Sequence, residues 1–342
     1  MRLATERQIT LWSRRGVIGL FALSVLLNLV FGLMLMSRSM QTSLSLLDSD
    51  VSVNASRQAS SPYQSPLRTN HSELLKRING RFGNLPSGSF SLYFETLISG
   101  GWAGIREDEK MSPGSLRKAP LIAAAFKLAE QGKLVFTRPV RIETRHLDLS
   151  LGLSRAVGPL AAKGSGQILS VKELVYYISK YSDNTATAAL IEVVGYDAYA
   201  EAMFAMGMSW KTWRENYESN HMIEYQASAY EFTQVFRSLY YATYLRPVDS
   251  QEVLRLLTEA DVVSGISQGV PGVQVAHKHG DWADGNFHHD CGIVYLPGNP
   301  YALCVMTKGL DASAARQLIA AISEEVAGYV RDISPAVAVP AR

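Results

Sequence analysis

Ser115-Leu116-Arg117-Lys118 opens a helix-forming run that continues to Gln131 and stops at Gly132. A serine at a helix start sits beside free backbone N–H groups and the positive end of the helix dipole, which favour developing negative charge. Lys118 lies three residues on, so a helix places it on the same face, one turn away. A lysine shielded from water loses its proton near neutral pH. It can then take the proton of Ser115 as that oxygen attacks a carbonyl. Taken alone, the pair reads better as an N-cap serine and a surface lysine. Pro120 removes one helix hydrogen bond, which is tolerable near the first turn, with a bend as the expected consequence.

Two further strings change that balance. Ser182-Asp183-Asn184 lies between a predicted helix over 171–180 and another over 185–194. Asp183 by itself is an ordinary N-cap. In a catalytic reading, the Ser182 hydroxyl relays a proton to a leaving nitrogen, Asn184 donates to a substrate amide and contacts Lys118, and Asp183 holds the loop. Lys278-His279-Gly280 follows Val273-Gln274-Val275-Ala276, an alternating segment that reads as a strand. Alternation puts Lys278 and Gly280 on one face and His279 on the other, unless a bulge intervenes. An edge-strand lysine is normally a guard against aggregation. Beside a nucleophile it becomes a receptor for a carboxylate, and Gly280 lets a ligand backbone lie close. The N–H groups of Ser115 and Asp281 then form an oxyanion hole.

Around these strings the pattern implies an α+β domain. A helix begins at Ser72, with Ser72 as its N-cap and Gly80 as its stop. Strands are predicted over 89–96 and 102–105, separated by Ser99-Gly100-Gly101. Helices follow over 230–241 and 250–258. Late strands over 292–296 and 301–307 flank the turn Pro297-Gly298-Asn299-Pro300, and a last helix covers 313–330. The order implies one antiparallel sheet with the terminal helices on one face and a mainly helical lobe inserted between.

The domain is expected over 71–333, with a disordered tail at 334–342. Ahead of it, Gly16 to Met36 is an uncharged run of 21 residues whose only polar side chains are Ser24 and Asn28. At about 1.5 Å per residue it can cross a bilayer core of roughly 30 Å. Arg2, Arg7, Arg14 and Arg15 precede it, whereas Arg38 is followed by eighteen residues without another base. The positive-inside rule leaves residues 1–15 in the cytoplasm and exports the rest, with 16–36 as a single-pass transmembrane anchor in the lipid bilayer. A cleaved signal peptide is the alternative, but the run is long and Met36-Ser37-Arg38-Ser39-Met40 is a poor cleavage site. Residues 37–70 are Ser-rich and poor in aromatics, and read as a flexible linker.

Composition sets the outer bounds. The chain has 342 residues, 47% of them apolar and 19% charged, with a formal net charge of +2. That suits a globular protein and gives no reason to expect nucleic acid. Cys291 and Cys304 are the two cysteines, so this is no disulfide scaffold. They lie at or near two strands joined by a tight turn, and read either as a pair formed in an oxidising compartment or as two buried thiols. His277, His279, His288, His289 and Asp290 cluster in sequence, but their spacing fits no common zinc pattern, and no metal or other cofactor is expected.

Read together and in order, the three strings are S-x-x-K, S-D-N and a variant of K-T-G, the signature of class A β-lactamases and penicillin-binding proteins. From about residue 72 to 330 the chain resembles that serine hydrolase superfamily, and most closely class A β-lactamases. Asp108-Glu109-Lys110-Met111 resembles the turn that precedes that family's nucleophile, and Ser170-Val171-Lys172-Glu173-Leu174 the start of its helix leading to S-D-N. The resemblance implies a β-lactamase/DD-peptidase-like fold and an acyl-enzyme formed on Ser115. Lys118, Ser182, Asn184 and Lys278 inherit family roles by direct match.

The chain departs from the pattern at three places. His279 stands where the family usually has Thr or Ser, so an imidazole replaces a hydroxyl at the substrate carboxylate. Asp281 brings a carboxylate near the oxyanion hole. Class A enzymes carry a deacylating glutamate in an E-x-x-x-N loop. Here Glu218 is the first candidate and Glu215 the second, and neither has Asn four residues later. The expected activity is β-lactam hydrolysis. A D-alanyl-D-alanine carboxypeptidase or transpeptidase acting on peptidoglycan stem peptides is the alternative, and a non-catalytic cell-wall or β-lactam binding module a third reading.

Overall fold

The computed structural model describes residues 71–85, 87–147, 157–209, 225–261, 265–282 and 286–334. Residues 16–36, the linker and the tail beyond 334 lie outside them. Among the described residues no helix is long and apolar enough to cross a membrane.

The chain opens with α1 (Ser72–Phe82), β1 (Ser89–Thr96) and β2 (Trp102–Ile105). A 3-10 turn, Gly114–Arg117, leads into α2 (Lys118–Glu130). A small ribbon pairs β3 (Pro139–Arg141) with β4 (Ile168–Ser170), with short helices α3 (Thr144–Leu147) and α4 (Leu160–Lys163) between them. The helical part continues through α5 (Val171–Tyr181), α6 (Asn184–Val194), α7 (Tyr196–Ala205), α8 (Ala229–Tyr240), α9 (Pro247–Thr258) and the short α10 (Gly265–Gly269). Last come β5 (Val275–Trp282), β6 (Phe287–Val294), β7 (Tyr301–Lys308) and α11 (Ala312–Ile333).

The main sheet is antiparallel, in the order β2-β1-β7-β6-β5. Its two faces bury separate cores. Phe90, Leu92, Phe94, Leu303 and Val305 pack against Leu74, Ile78 and Phe82 of α1 and Leu318, Ile322 and Val326 of α11. Ala276, Cys291, Ile293, Ala302 and Cys304 face the inserted helices, among them Leu121, Ile122, Phe232 and Phe236. Strand alternation produces this split, because successive side chains point to opposite faces. β5 is an edge of the sheet.

α1, the run from Ser115 and β6 depart from the sequence reading for identifiable reasons. α1 runs through Gly80 to Phe82 and is preceded by His71 rather than capped by Ser72. Its buried stripe Leu74, Ile78 and Phe82 continues past the glycine, and burying Phe82 outweighs the ~1 kcal/mol cost of Gly in a helix. The run from Ser115 begins as a 3-10 turn and becomes α-helical only at Lys118. Pro120 has no N–H for the Leu116 carbonyl, so the α pattern cannot start earlier; the Lys118 N–H bonds the Ser115 and Leu116 carbonyls instead. β6 starts at Phe287, five residues before the expected Gly292, and takes in His288, His289 and Asp290.

Candidate active site

The 3-10 turn that carries Ser115 is pressed against β5. Gly114 has φ +52°, and a β-carbon there would stand 2.4 Å from the Asp281 carbonyl oxygen. A β-carbon on Gly280 would stand 2.4 Å from the Pro113 carbonyl oxygen and 3.0 Å from the Leu116 nitrogen. Two glycines therefore let two backbones meet. The room at Gly280, which the sequence reading assigned to a ligand, is occupied by the chain's own turn. Gly114 escaped that reading, although Pro113-Gly114 is a turn signal.

Lys118, one residue past the turn, is 1% exposed. Its Nζ donates to the Ser182 carbonyl at 2.7 Å, to Ser182 Oγ at 3.1 Å and to Asn184 Oδ1 at 2.6 Å. Burial, with the nearby charges of Lys278 and Arg117, holds its pKa well below the ordinary lysine range.

Ser182 links α5 to α6 in the left-handed region, φ 52° and ψ 37°, a conformation that costs a non-glycine residue about 1–3 kcal/mol. The surroundings hold it there. The Ser182 N–H bonds the Ile178 carbonyl, and fully buried Asp183 fixes the next residues. Asp183 Oδ1 accepts from the Ala186 N–H at 2.8 Å as the N-cap of α6. Its Oδ2 accepts from the Leu160 N–H at 2.8 Å, and the Asn184 N–H donates to the Val157 carbonyl at 2.8 Å. Burial raises the Asp183 pKa, while these N–H donors act to lower it. One carboxylate thus ties the segment at 157–160 to the strained junction.

On β5, Lys278 is 1% exposed, and burial pushes its ammonium down to about 7. Its charge acts on Lys118, which places the two lysines in one environment. His279 does not join them. It lies opposite Asp290 in the strand register, on the face that Asp290 turns toward α10 by accepting from the Ile266 N–H at 2.9 Å. Its Nδ1 is buried and has no hydrogen-bond partner among the described residues. The imidazole placed by resemblance at a substrate carboxylate therefore stands on the opposite face of the strand from Lys278. Asp281 also turns aside: its Oδ1 is 2.6 Å from His288 Nδ1 across the strand pair, while its backbone packs on Gly114. Glu215 and Glu218 lie outside the described residues.

The other histidines of this cluster, His277, His288 and His289, each have a partner. His277 Nδ1 pairs with Asp290 Oδ1 at 2.9 Å, and His289 bridges two backbone segments. Among the described residues no group of three or more His, Cys, Asp or Glu is arranged to hold a metal ion. Cys291 and Cys304 are cross-strand neighbours, their α-carbons 3.9 Å apart, and form a disulfide.

Ser115 from the 3-10 turn, Lys118 from the start of α2, Ser182 and Asn184 from the α5–α6 junction and Lys278 from the sheet edge thus meet in one place. A profile of the Beta-lactamase enzyme family matches residues 73–330. The chain belongs to that family. As a member it is a serine β-lactamase-like hydrolase. Its fold is shared with PBP-A at a TM-score of 0.68 and 19% identity, over 78% of this chain and 98% of PBP-A. A PBP-A variant solved as an acyl-enzyme complex with penicillin G matches equally, with a TM-score of 0.68 at 19% identity over 78% of this chain and 99% of that one. A β-lactamase from Sphaerobacter thermophilus matches with a TM-score of 0.66 at 20% identity, over 78% of this chain and all (100%) of its own. No curated protein matches the chain.

Proposed function

We propose that the chain opens β-lactam amides through an acyl-enzyme on Ser115, and does so as an exported protein held to the membrane by residues 16–36. The observation that carries the chemistry is the buried Lys118 amine, hydrogen-bonded to Ser182 Oγ and Asn184 Oδ1 and depressed in pKa. Neutral Lys118 takes the Ser115 proton as Oγ bonds the lactam carbonyl carbon. The N–H groups of Ser115 and Asp281 receive the developing oxyanion. When the carbon–nitrogen bond breaks, the nitrogen takes a proton from Ser182 Oγ, and Lys118 replaces it. Asn184 orients the substrate amide, and protonated Lys278 receives the substrate carboxylate. Water then cleaves the ester, with Glu218 or Glu215 as the candidate base, and restores the serine.

A second reading keeps the same acylation and changes its outcome. Likeness to PBP-A supports a D-alanyl-D-alanine carboxypeptidase acting on peptidoglycan stem peptides, for which a β-lactam adduct would be long-lived. Export and anchoring rest on the 21-residue apolar run and the arginines ahead of it. The deciding experiment mixes the full-length chain in detergent with a fluorescent penicillin and follows the adduct. A label that forms and vanishes in seconds, with the drug consumed, supports the lactamase; one that persists for many minutes supports the peptidase. Labelling that survives Ser115→Ala overturns the nucleophile assignment.

A further inference from the structure

Two buried side chains from outside the three strings grip the backbone on either side of Ser115. On β6, His289 Nε2 lies 2.8 Å from the Ser112 carbonyl oxygen, while its Nδ1 receives the Thr307 N–H at 3.1 Å. On α7, the Tyr199 hydroxyl donates to the Arg117 carbonyl at 2.7 Å. Ser112 is three residues before Ser115 and Arg117 two after it. His289 is 2% exposed and Tyr199 1%.

The bonds of His289 fix its tautomer. A backbone N–H can only donate, so Nδ1 carries no proton and accepts; a carbonyl can only accept, so Nε2 carries the proton and donates. The ring is neutral and both of its nitrogens are committed to backbone. Burial holds its pKa down at about 4, which keeps it neutral over the range in which such an enzyme works. It is not available for proton transfer, and its reach is structural.

The turn needs that hold. It is 3-10 rather than α-helical, its Gly114 sits at φ +52°, and Pro120 denies it a helix hydrogen bond. The contacts of Gly114 with Asp281 and of Gly280 with Pro113 and Leu116 set how near the turn comes to β5. The two pinned carbonyls add a directional hold on either side of Ser115. We propose that His289 and Tyr199 are positioning residues that aim Ser115 Oγ, His289 from the sheet side and Tyr199 from the helical side. The proposal rests on Ser115 being the nucleophile.

Attack by a hydroxyl demands close approach and alignment, and a misplacement of about 1 Å costs about 100-fold in rate. Asparagine and glutamine separate the two bonds of His289. In His289→Asn the amide oxygen falls near the Nδ1 position and keeps the acceptor for Thr307, whereas in His289→Gln the amide nitrogen falls near Nε2 and keeps the donor for Ser112.

The test uses the full-length chain in detergent, a fluorescent penicillin and rapid mixing, and compares the parent with His289→Asn, His289→Gln, Tyr199→Phe and Ser115→Ala. The saturating acylation rate and the half-saturating drug concentration are read separately, per folded molecule. His289→Asn and Tyr199→Phe should each slow acylation about 10- to 100-fold while the half-saturating concentration stays within about 2-fold, and His289→Gln should restore most of the rate. Parent-like acylation in both His289→Asn and Tyr199→Phe overturns the proposal, as does an equal fall in the asparagine and glutamine variants. If His289→Asn does not fold, Tyr199→Phe, which loses a single hydroxyl, decides alone. A parent that takes no label, or a Ser115→Ala protein that does, overturns the nucleophile reading itself and is thereby distinguished from failure of the positioning role.

Discussion

Gly280 and Pro113 are in backbone contact: a β-carbon at residue 280 would lie 2.4 Å from the Pro113 carbonyl oxygen, with Leu116 Cγ at 2.8 Å. Neither a carbonyl nor a buried leucine can yield by that much without moving the turn. Gly280→Ala should therefore destabilise the domain by about 1–3 kcal/mol and slow acylation at least 10-fold. Thermal unfolding and penicillin labelling check the two halves of that expectation.

The two lysines should give the acylation efficiency a bell-shaped pH profile. The rising limb is loss of the Lys118 proton, displaced below the ordinary lysine range by burial. The falling limb is loss of the Lys278 charge, with a pKa of about 7 in the free enzyme. Lys278→Met should raise the half-saturating concentration and flatten the falling limb. A profile that keeps both limbs in that variant would remove Lys278 from carboxylate binding.

Stability should follow Lys278 too. Below pH 7 the amine is protonated folded and unfolded, and its burial cost is fully present. Between about 7 and the unfolded value near 10.4, only the unfolded chain holds the proton, so stability rises with pH by up to about 1.4 kcal/mol per unit from this group. Denaturant unfolding of the parent against Lys278→Met should show a smaller rise in the variant across that window.

Asp183→Ala removes an N-cap and strips a buried Leu160 N–H of its acceptor. The loss should be about 2–4 kcal/mol. The segment at 157–160 should become exchange-labile while α11 stays protected, as hydrogen exchange can read.

Deleting residues 1–36 should move the protein from the membrane pellet to the soluble fraction. A full-length chain recovered soluble and shortened near residue 40 would instead indicate cleavage.

β1 and β2 were legible to the residue because two short strand-forming runs flank the turn signal Ser99-Gly100-Gly101. β6 was legible only in its apolar half. His288, His289 and Asp290 lie outside the strand predicted over 292–296, yet each finds its partner on another element: His288 with Asp281, His289 with Ser112 and Thr307, Asp290 with His277 and the Ile266 N–H. Hydropathy along the chain cannot register polar groups satisfied from elsewhere. The β3–β4 ribbon was missed for a simpler reason, since three residues a strand show no period. At the site, residue types and order marked Ser115, Lys118, Ser182, Asn184 and Lys278. Alternation along β5 already put His279 on the face opposite Lys278, where the structure has it; the grip of His289 and Tyr199 on the nucleophile turn is a property of tertiary packing, which local sequence does not encode.

Pairing of β1 with β7 joins residues 89–96 to residues 301–308. One flank of β1 closes locally on β2; the other has no partner until more than two hundred further residues have emerged. Seven of its eight positions end up buried, so an adhesive strand waits through most of the chain's delivery. Completion of the sheet is thus a closure of very high contact order, slow on entropic grounds and exposed to misassociation while it waits. Because synthesis runs from the N-terminus, the inserted lobe emerges before the sheet can be finished, and enzymatic competence becomes a report that the last strand has docked.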